Sequence, residues 1–124
     1  MKRMNHFLFI LPILLFCYWG VKGQDISKPP SKEQMAYNYY QQRNFTKALP
    51  IFEELYNTRI GSNYYPYYLQ CLIELKEFEK AKKTVETEMK RTPNQSRLQG
   101  DLGYVYMVSG KTDKAYRIFE EVIE

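Results

Sequence analysis

Asn44-Phe45-Thr46-Lys47-Ala48, Glu77-Phe78-Glu79-Lys80-Ala81 and Lys111-Thr112-Asp113-Lys114-Ala115 are three versions of one short phrase in a chain of 124 residues. Their alanines lie 33 and then 34 residues apart. A self-similar period of this size marks a supersecondary unit that stacks on copies of itself, because one such unit cannot bury its apolar face alone.

The residues around each alanine follow the helical period. Ala48, Phe52, Leu55 and Tyr56 fall at i, i+4, i+7 and i+8; Ala115, Phe119, Val122 and Ile123 repeat that pattern in full, and Ala81, Val85 and Met89 repeat part of it. Such spacing puts one apolar stripe on one helix face. The segments before them read as amphipathic helices too, through Met35, Ala36 and Tyr39, then Tyr65, Tyr68, Leu69 and Leu72, then Leu102, Gly103 and Tyr106. Tyr39, Tyr65, Tyr68 and Tyr106 are predicted to be core. Thr46 and Asp113 are predicted N-caps, with Glu79 a poorer one at the equivalent place. Gly110, Ile60-Gly61-Ser62-Asn63 and Thr92-Pro93-Asn94 supply breaks. Pro50 and Pro66 are each expected within about a turn of a helix start, where a missing N–H costs least.

These residues resemble the tetratricopeptide repeat family over roughly residues 29–124. Its pattern asks for Leu-Gly and an aromatic three residues on in the first helix. It then asks for Ala, an aromatic four residues on, and a closing proline in the second. Leu102-Gly103, Tyr106, Ala115 and Phe119 match best, and Met35-Ala36, Tyr39, Ala48 and Phe52 match in the first unit. In the middle unit Ala81 and Pro93 fit, but Leu69 stands where a small residue belongs and Glu88 where an Ala usually packs. Glu88 must therefore turn outward or carry a burial cost. The resemblance implies an all-α fold, a right-handed α-solenoid of antiparallel helix pairs with about three repeats (29–61, 62–95 and 96–124), the last incomplete.

The resemblance also implies a concave groove lined by the first helix of each pair. Carried over position by position, the groove residues are Tyr37, Tyr40 and Gln41, then Gln70, Ile73 and Glu74, then Arg97, Tyr104 and Met107. Tyrosine and Met offer large contact area with few rotors to freeze, which suits gripping an extended peptide or a partner helix. The bland alternative is that they are surface or half-buried packing residues of the array. Family members that clamp a C-terminal carboxylate need Lys and Asn where Glu33 and Tyr37 stand here, so an acidic C-terminus is not the expected ligand.

Outside the repeats, residues 1–23 read as a secretory signal peptide. Lys2 and Arg3 precede an apolar run from Phe7 to Val21, with cleavage expected between Gly23 and Gln24. The run is short for a membrane span, which needs about 18 or more apolar residues, so a membrane would be met only through an uncleaved leader. A lipid-modified Cys17 is disfavoured by Phe16 beside it. Residues 24–31 read as a stiff linker and 32–124 as the repeat domain. Export is the expected route, to the periplasm or outer-membrane surface if the source is bacterial.

Charge follows the same division. Lys2, Arg3 and Lys22 are three of the 18 Lys and Arg residues, and all 14 Asp and Glu lie beyond them. From Gln24 onward 15 bases face 14 acids, a net +1. Bulk positive charge therefore offers no reason to expect nucleic acid. The stretch Lys80, Lys82, Lys83, Lys90 and Arg91 is interleaved with acids, and Glu79–Lys83, Lys82–Glu86 and Glu86–Lys90 are expected to pair at i,i+4.

The one histidine, His6, lies in the leader, and Cys71 is the one cysteine after it. Ser/His/Asp and Cys/His nucleophile systems and the usual zinc sites thus lack their residues. Cys71 is expected to be a small buried apolar side chain. Adjacent acids such as Glu53-Glu54 and Glu120-Glu121 point in different directions on a helix and make a poor acid–base pair. No enzyme, metal or cofactor is expected. The expected function is a protein–protein interaction scaffold. The alternative is a structural segment of a longer array, or a self-associating protein meeting its partner through Phe119, Val122 and Ile123.

Overall fold

The computed structural model describes residues 28–123. Among them are six α-helices and no strand: α1 (Lys32–Gln41), α2 (Phe45–Tyr56), α3 (Tyr65–Glu74), α4 (Phe78–Arg91), α5 (Ser96–Val108) and α6 (Thr112–Ile123). A 3₁₀ turn, Gly61–Asn63, joins α2 to α3. Each helix packs chiefly on its neighbours in chain order. Short connections between packed neighbours make them antiparallel hairpins, and the all-α expectation holds. The expected leader, with cleavage expected between Gly23 and Gln24, lies outside the described residues.

One turn recurs within all three hairpins. Arg43, Lys76 and Gly110 follow the first helix of each pair, and each adopts a left-handed backbone, at φ 56°, 60° and 81°. The next amide then donates to the carbonyl five residues back: Asn44 to Tyr39, Glu77 to Leu72 and Lys111 to Tyr106, each at 2.8 Å. The left-handed residues donate to Tyr40, Ile73 and Met107 at 2.9, 2.9 and 3.1 Å. This is the Schellman closure of a helix C-terminus. It keeps the 33- and 34-residue spacing of the alanines, so the repeat is a repeat of backbone geometry as well as of side chains.

The turn also corrects the predicted caps. The second helices begin earlier than Thr46, Glu79 and Asp113 suggest. Asn44 caps α2 with its side chain, accepting from the Lys47 amide at 3.3 Å, and Glu77 precedes α4 without a side-chain cap. Asp113 lies in the first turn of α6. The Schellman closure consumes the residue directly after the left-handed one, which fixes where the next helix can start. Pro50 is consequently inside α2, not near its start, although Pro66 does sit in the first turn of α3. Pro50 and Thr46 are both exposed, so solvent can take the carbonyl that the proline leaves unbonded. Ser31 caps α1 in a capping box with Gln34, Ser-x-x-Gln being the signal for it in the sequence.

Ala48, Ala81 and Ala115 are all 0% exposed, as close helix crossing requires. Gly103 serves the same end from the other side, for a Cβ there would lie 2.5 Å from Cε1 of Phe119. Tyr65, Tyr68 and Cys71 are buried. Tyr39 and Tyr106 are only half-buried, a departure from the core assignment. Each spends its outer side on a lysine, Lys47 Nζ standing 5.5 Å from the Tyr39 ring and Lys114 Nζ 5.7 Å from that of Tyr106.

Glu88 is buried, at 3% exposure. Its Oε2 accepts from the Tyr56 hydroxyl at 3.2 Å, and Arg91 lies 3.9 Å away. The Arg91 guanidinium stacks 4.5 Å from the Tyr56 ring centroid and donates to the Tyr56 carbonyl at 3.3 Å, at the open end of α2. The carboxylate is thus satisfied where it is buried, and it ties α4 to α2. Of the expected helical ion pairs Lys82–Glu86 forms, at 3.9 Å, whereas Glu79 turns instead to Lys111 of the third hairpin at 2.9 Å.

Candidate functional site

The first helices of the second and third hairpins, α3 and α5, diverge around a cleft of about 210 Å³. Apolar side chains of α3 form its wall, Pro66, Leu69 and Ile73, with Gln70 beside them. From α5 come Arg97, Asp101 and Tyr104. Spacing of i, i+3, i+4 and i+7 in α3, and of i, i+4 and i+7 in α5, is what brings each set to one helix face. Tyr65 joins the two sides: it is 1% exposed, and its hydroxyl donates to Asp101 Oδ2 at 2.8 Å. Burial, reinforced by that carboxylate, holds the Tyr65 hydroxyl well above the usual phenol range, so it remains a proton donor.

The cleft brings together Gln70, Ile73, Arg97 and Tyr104 of the residues assigned to a groove. Gln70 is half-buried and donates from Nε2 to Glu74 Oε1 at 2.9 Å. Tyr104 is 46% exposed and Met107, beyond the cleft on α5, is 40% exposed. Gln41 is exposed at the end of α1 and does not line the cleft.

Tyr37 and Tyr40 sit elsewhere, half-buried in an aromatic cluster where α1, α2 and α3 meet. Tyr67 is its centre, edge-on to Tyr37 at 4.9 Å and to Tyr40 at 5.3 Å, and stacked on Phe52 at 5.5 Å. Tyr40 also meets Phe45 at 5.7 Å. Desolvation raises the pKa of the Tyr37 and Tyr40 hydroxyls above the ordinary value, so both stay neutral well past physiological pH. Tyr67 and the Tyr65–Asp101 bond were not singled out from the sequence. Tyr37 and Tyr40 lie two helices from Tyr67, and Asp101 two helices from Tyr65, so no local spacing announces them.

Chemically the cleft offers an apolar wall, an amide, a cation and a carboxylate at its rim, and a partly exposed aromatic ring. These are groups for non-covalent capture. Cys71 is 0% exposed, and burial pushes its thiol up to about 12, so it is an inert packing residue. Among the described residues no cluster of His, Cys, Asp and Glu could hold a metal ion, and no helix is long and apolar enough to cross a membrane. No family model matches the chain, and neither curated proteins nor solved structures provide a match.

Proposed function

We propose that the chain is a right-handed solenoid of tetratricopeptide-type hairpins that grips an extended segment or a helix of another protein. The observation that carries this reading is the α3–α5 cleft. Four positions that the family resemblance assigns to a groove, Gln70, Ile73, Arg97 and Tyr104, line that one apolar-walled concavity. The recurrent Schellman turn supports the repeat on which the solenoid depends. An expected leader places the work in a secretion or envelope-assembly setting, and no catalytic role is assigned. Tyr37 and Tyr40 contribute through the aromatic cluster that braces α1 against α3 and present only their outer edges to a ligand.

A photo-crosslinking residue placed at Tyr104 or Gln70 should capture one and the same protein in the native setting, and one placed at the exposed Lys83 of α4 should not. Recovery of that protein should fall at least about tenfold in Tyr104→Ala/Ile73→Ala, as loss of two central anchors implies. Equal capture from Lys83, or unchanged recovery by the double variant, would reject the cleft. A second reading, a structural segment or self-associating piece of an array, is favoured by α6, where Tyr116 is 62% and Ile123 84% exposed.

A further inference from the structure

The apolar face that α2 turns toward α3 is present again on α6, where none of the described residues covers its last turn. Residues 67 apart are equivalent in the first and third hairpins, as Ala48 and Ala115 and the left-handed Arg43 and Gly110 show. Phe52, Leu55 and Tyr56 therefore correspond to Phe119, Val122 and Ile123. The first three are at most 6% exposed, with Tyr56 stacked on Tyr68 of α3 at 5.1 Å. On α6 Val122 is 38% and Ile123 84% exposed.

Faces of this kind are covered in the molecule by α3 and α5, and α1 is the remaining helix of that type among the described residues. Met35 stands where α3 has Tyr68, and Tyr39 stands where it has Leu72; both are half-exposed, whereas Tyr68 and Leu72 are buried. One ion pair crosses the first junction in this register. Lys80 of the second hairpin reaches back to Glu53 of the first at 2.9 Å. Their equivalents are Lys47 and Glu120, both exposed.

We propose that a second copy of the chain docks head to tail. Its α1 covers Val122 and Ile123 of the first copy, and its Lys47 meets Glu120 of the first. The contact repeats the one between the first two hairpins. It is heterologous, so each docked copy leaves a free α6 and association does not stop at two. The proposal stands on α6 and α1 and not on the α3–α5 cleft.

Sedimentation velocity on the whole protein over an approximately hundredfold concentration range tests it through mass action. The weight-average mass should climb past that of a dimer. Ile123→Glu, at a site too exposed to disturb folding, should sediment as a monomer throughout. Glu120→Lys and Lys47→Glu should each weaken association about tenfold by setting like charges together. The doubly swapped chain should recover it, and so should an equimolar mixture of the two single variants. Tyr104→Ala should leave association intact while failing to capture the cleft partner. A wild-type monomer at every concentration overturns the proposal, as does a dimer that grows no further or a double swap that fails to restore association.

Discussion

Glu88 stands where the repeat pattern wants alanine, and its surroundings explain how a carboxylate can be kept there. Tyr56 and Arg91 converge on it from α2 and α4, so truncation takes the carboxylate acceptor from a buried hydroxyl and the ionic partner from the guanidinium. Glu88→Ala should cost about 1–3 kcal/mol by urea denaturation, the usual range for unsatisfied buried partners. Because the groups act as one unit, adding Tyr56→Phe should cost less than its effect alone, a non-additivity of about 1 kcal/mol. The same contact makes a prediction in alkali. Burial first, then Glu88, lifts the Tyr56 hydroxyl from 10.0 to about 12. The folded state holds this proton more tightly than the unfolded chain, so the stabilisation is complete below pH 10 and is lost as pH rises toward about 12. Unfolding free energies measured across that window should fall less steeply in Tyr56→Phe. Two glycines separate a soft obstacle from a hard one. At Gly103 the added methyl meets the far edge of the half-buried Phe119 ring, which can turn aside, whereas at Gly61 it would lie 1.7 Å from the Tyr56 carbonyl oxygen. Gly103→Ala should therefore cost about 1 kcal/mol and Gly61→Ala about 3 kcal/mol or more, a ranking that thermal denaturation can check.

At the scale of the element, the hairpin turn is the part of the fold with the least dependence on side chains. Three sequences as different as Gln42-Arg43-Asn44, Leu75-Lys76-Glu77 and Ser109-Gly110-Lys111 close with the same pair of hydrogen bonds. The backbone requires a left-handed residue there, and only the third hairpin supplies glycine. Lys76→Gly relieves about 1–2 kcal/mol of left-handed strain and returns part of it through the freer unfolded chain. It should stabilise by about 0.5–1 kcal/mol in urea. Gly110→Ala should destabilise by about 1 kcal/mol, from backbone strain alone, since nothing stands within 4 Å of the added carbon. Here the sequence was only partly legible. The punctuation at Gly110 is visible, but Arg43 and Lys76 carry no mark of a left-handed turn, and so cap residues in the sequence point to helix starts about two residues late.

Across the whole molecule, contacts run mainly between consecutive helices, so stability is distributed along the chain and not pooled at one centre. The continuous core occupies α1 to α4 and takes Leu98 and Val105 from α5, whereas α6 contributes Ala115 to the buried set. Amides of α6 should exchange with solvent at least about tenfold faster than those of α3, as measured by hydrogen exchange, because sub-global opening follows buried contact. Periodicity along one dimension was enough to recover the number and pairing of helices and the buried alanines, since a helix face is a property of spacing, whereas the groove positions follow only from the resemblance to the tetratricopeptide pattern. What it could not decide was anything that depends on two helices meeting at a particular angle. The drawing of Tyr37 and Tyr40 into the cluster around Tyr67, the bond from Tyr65 to Asp101 and the burial of Glu88 between Tyr56 and Arg91 are all of this kind. Each joins residues about 30 positions apart through packing. Tertiary structure decided them because the energy of a buried polar or aromatic group is set by its neighbours in space, which no local pattern specifies.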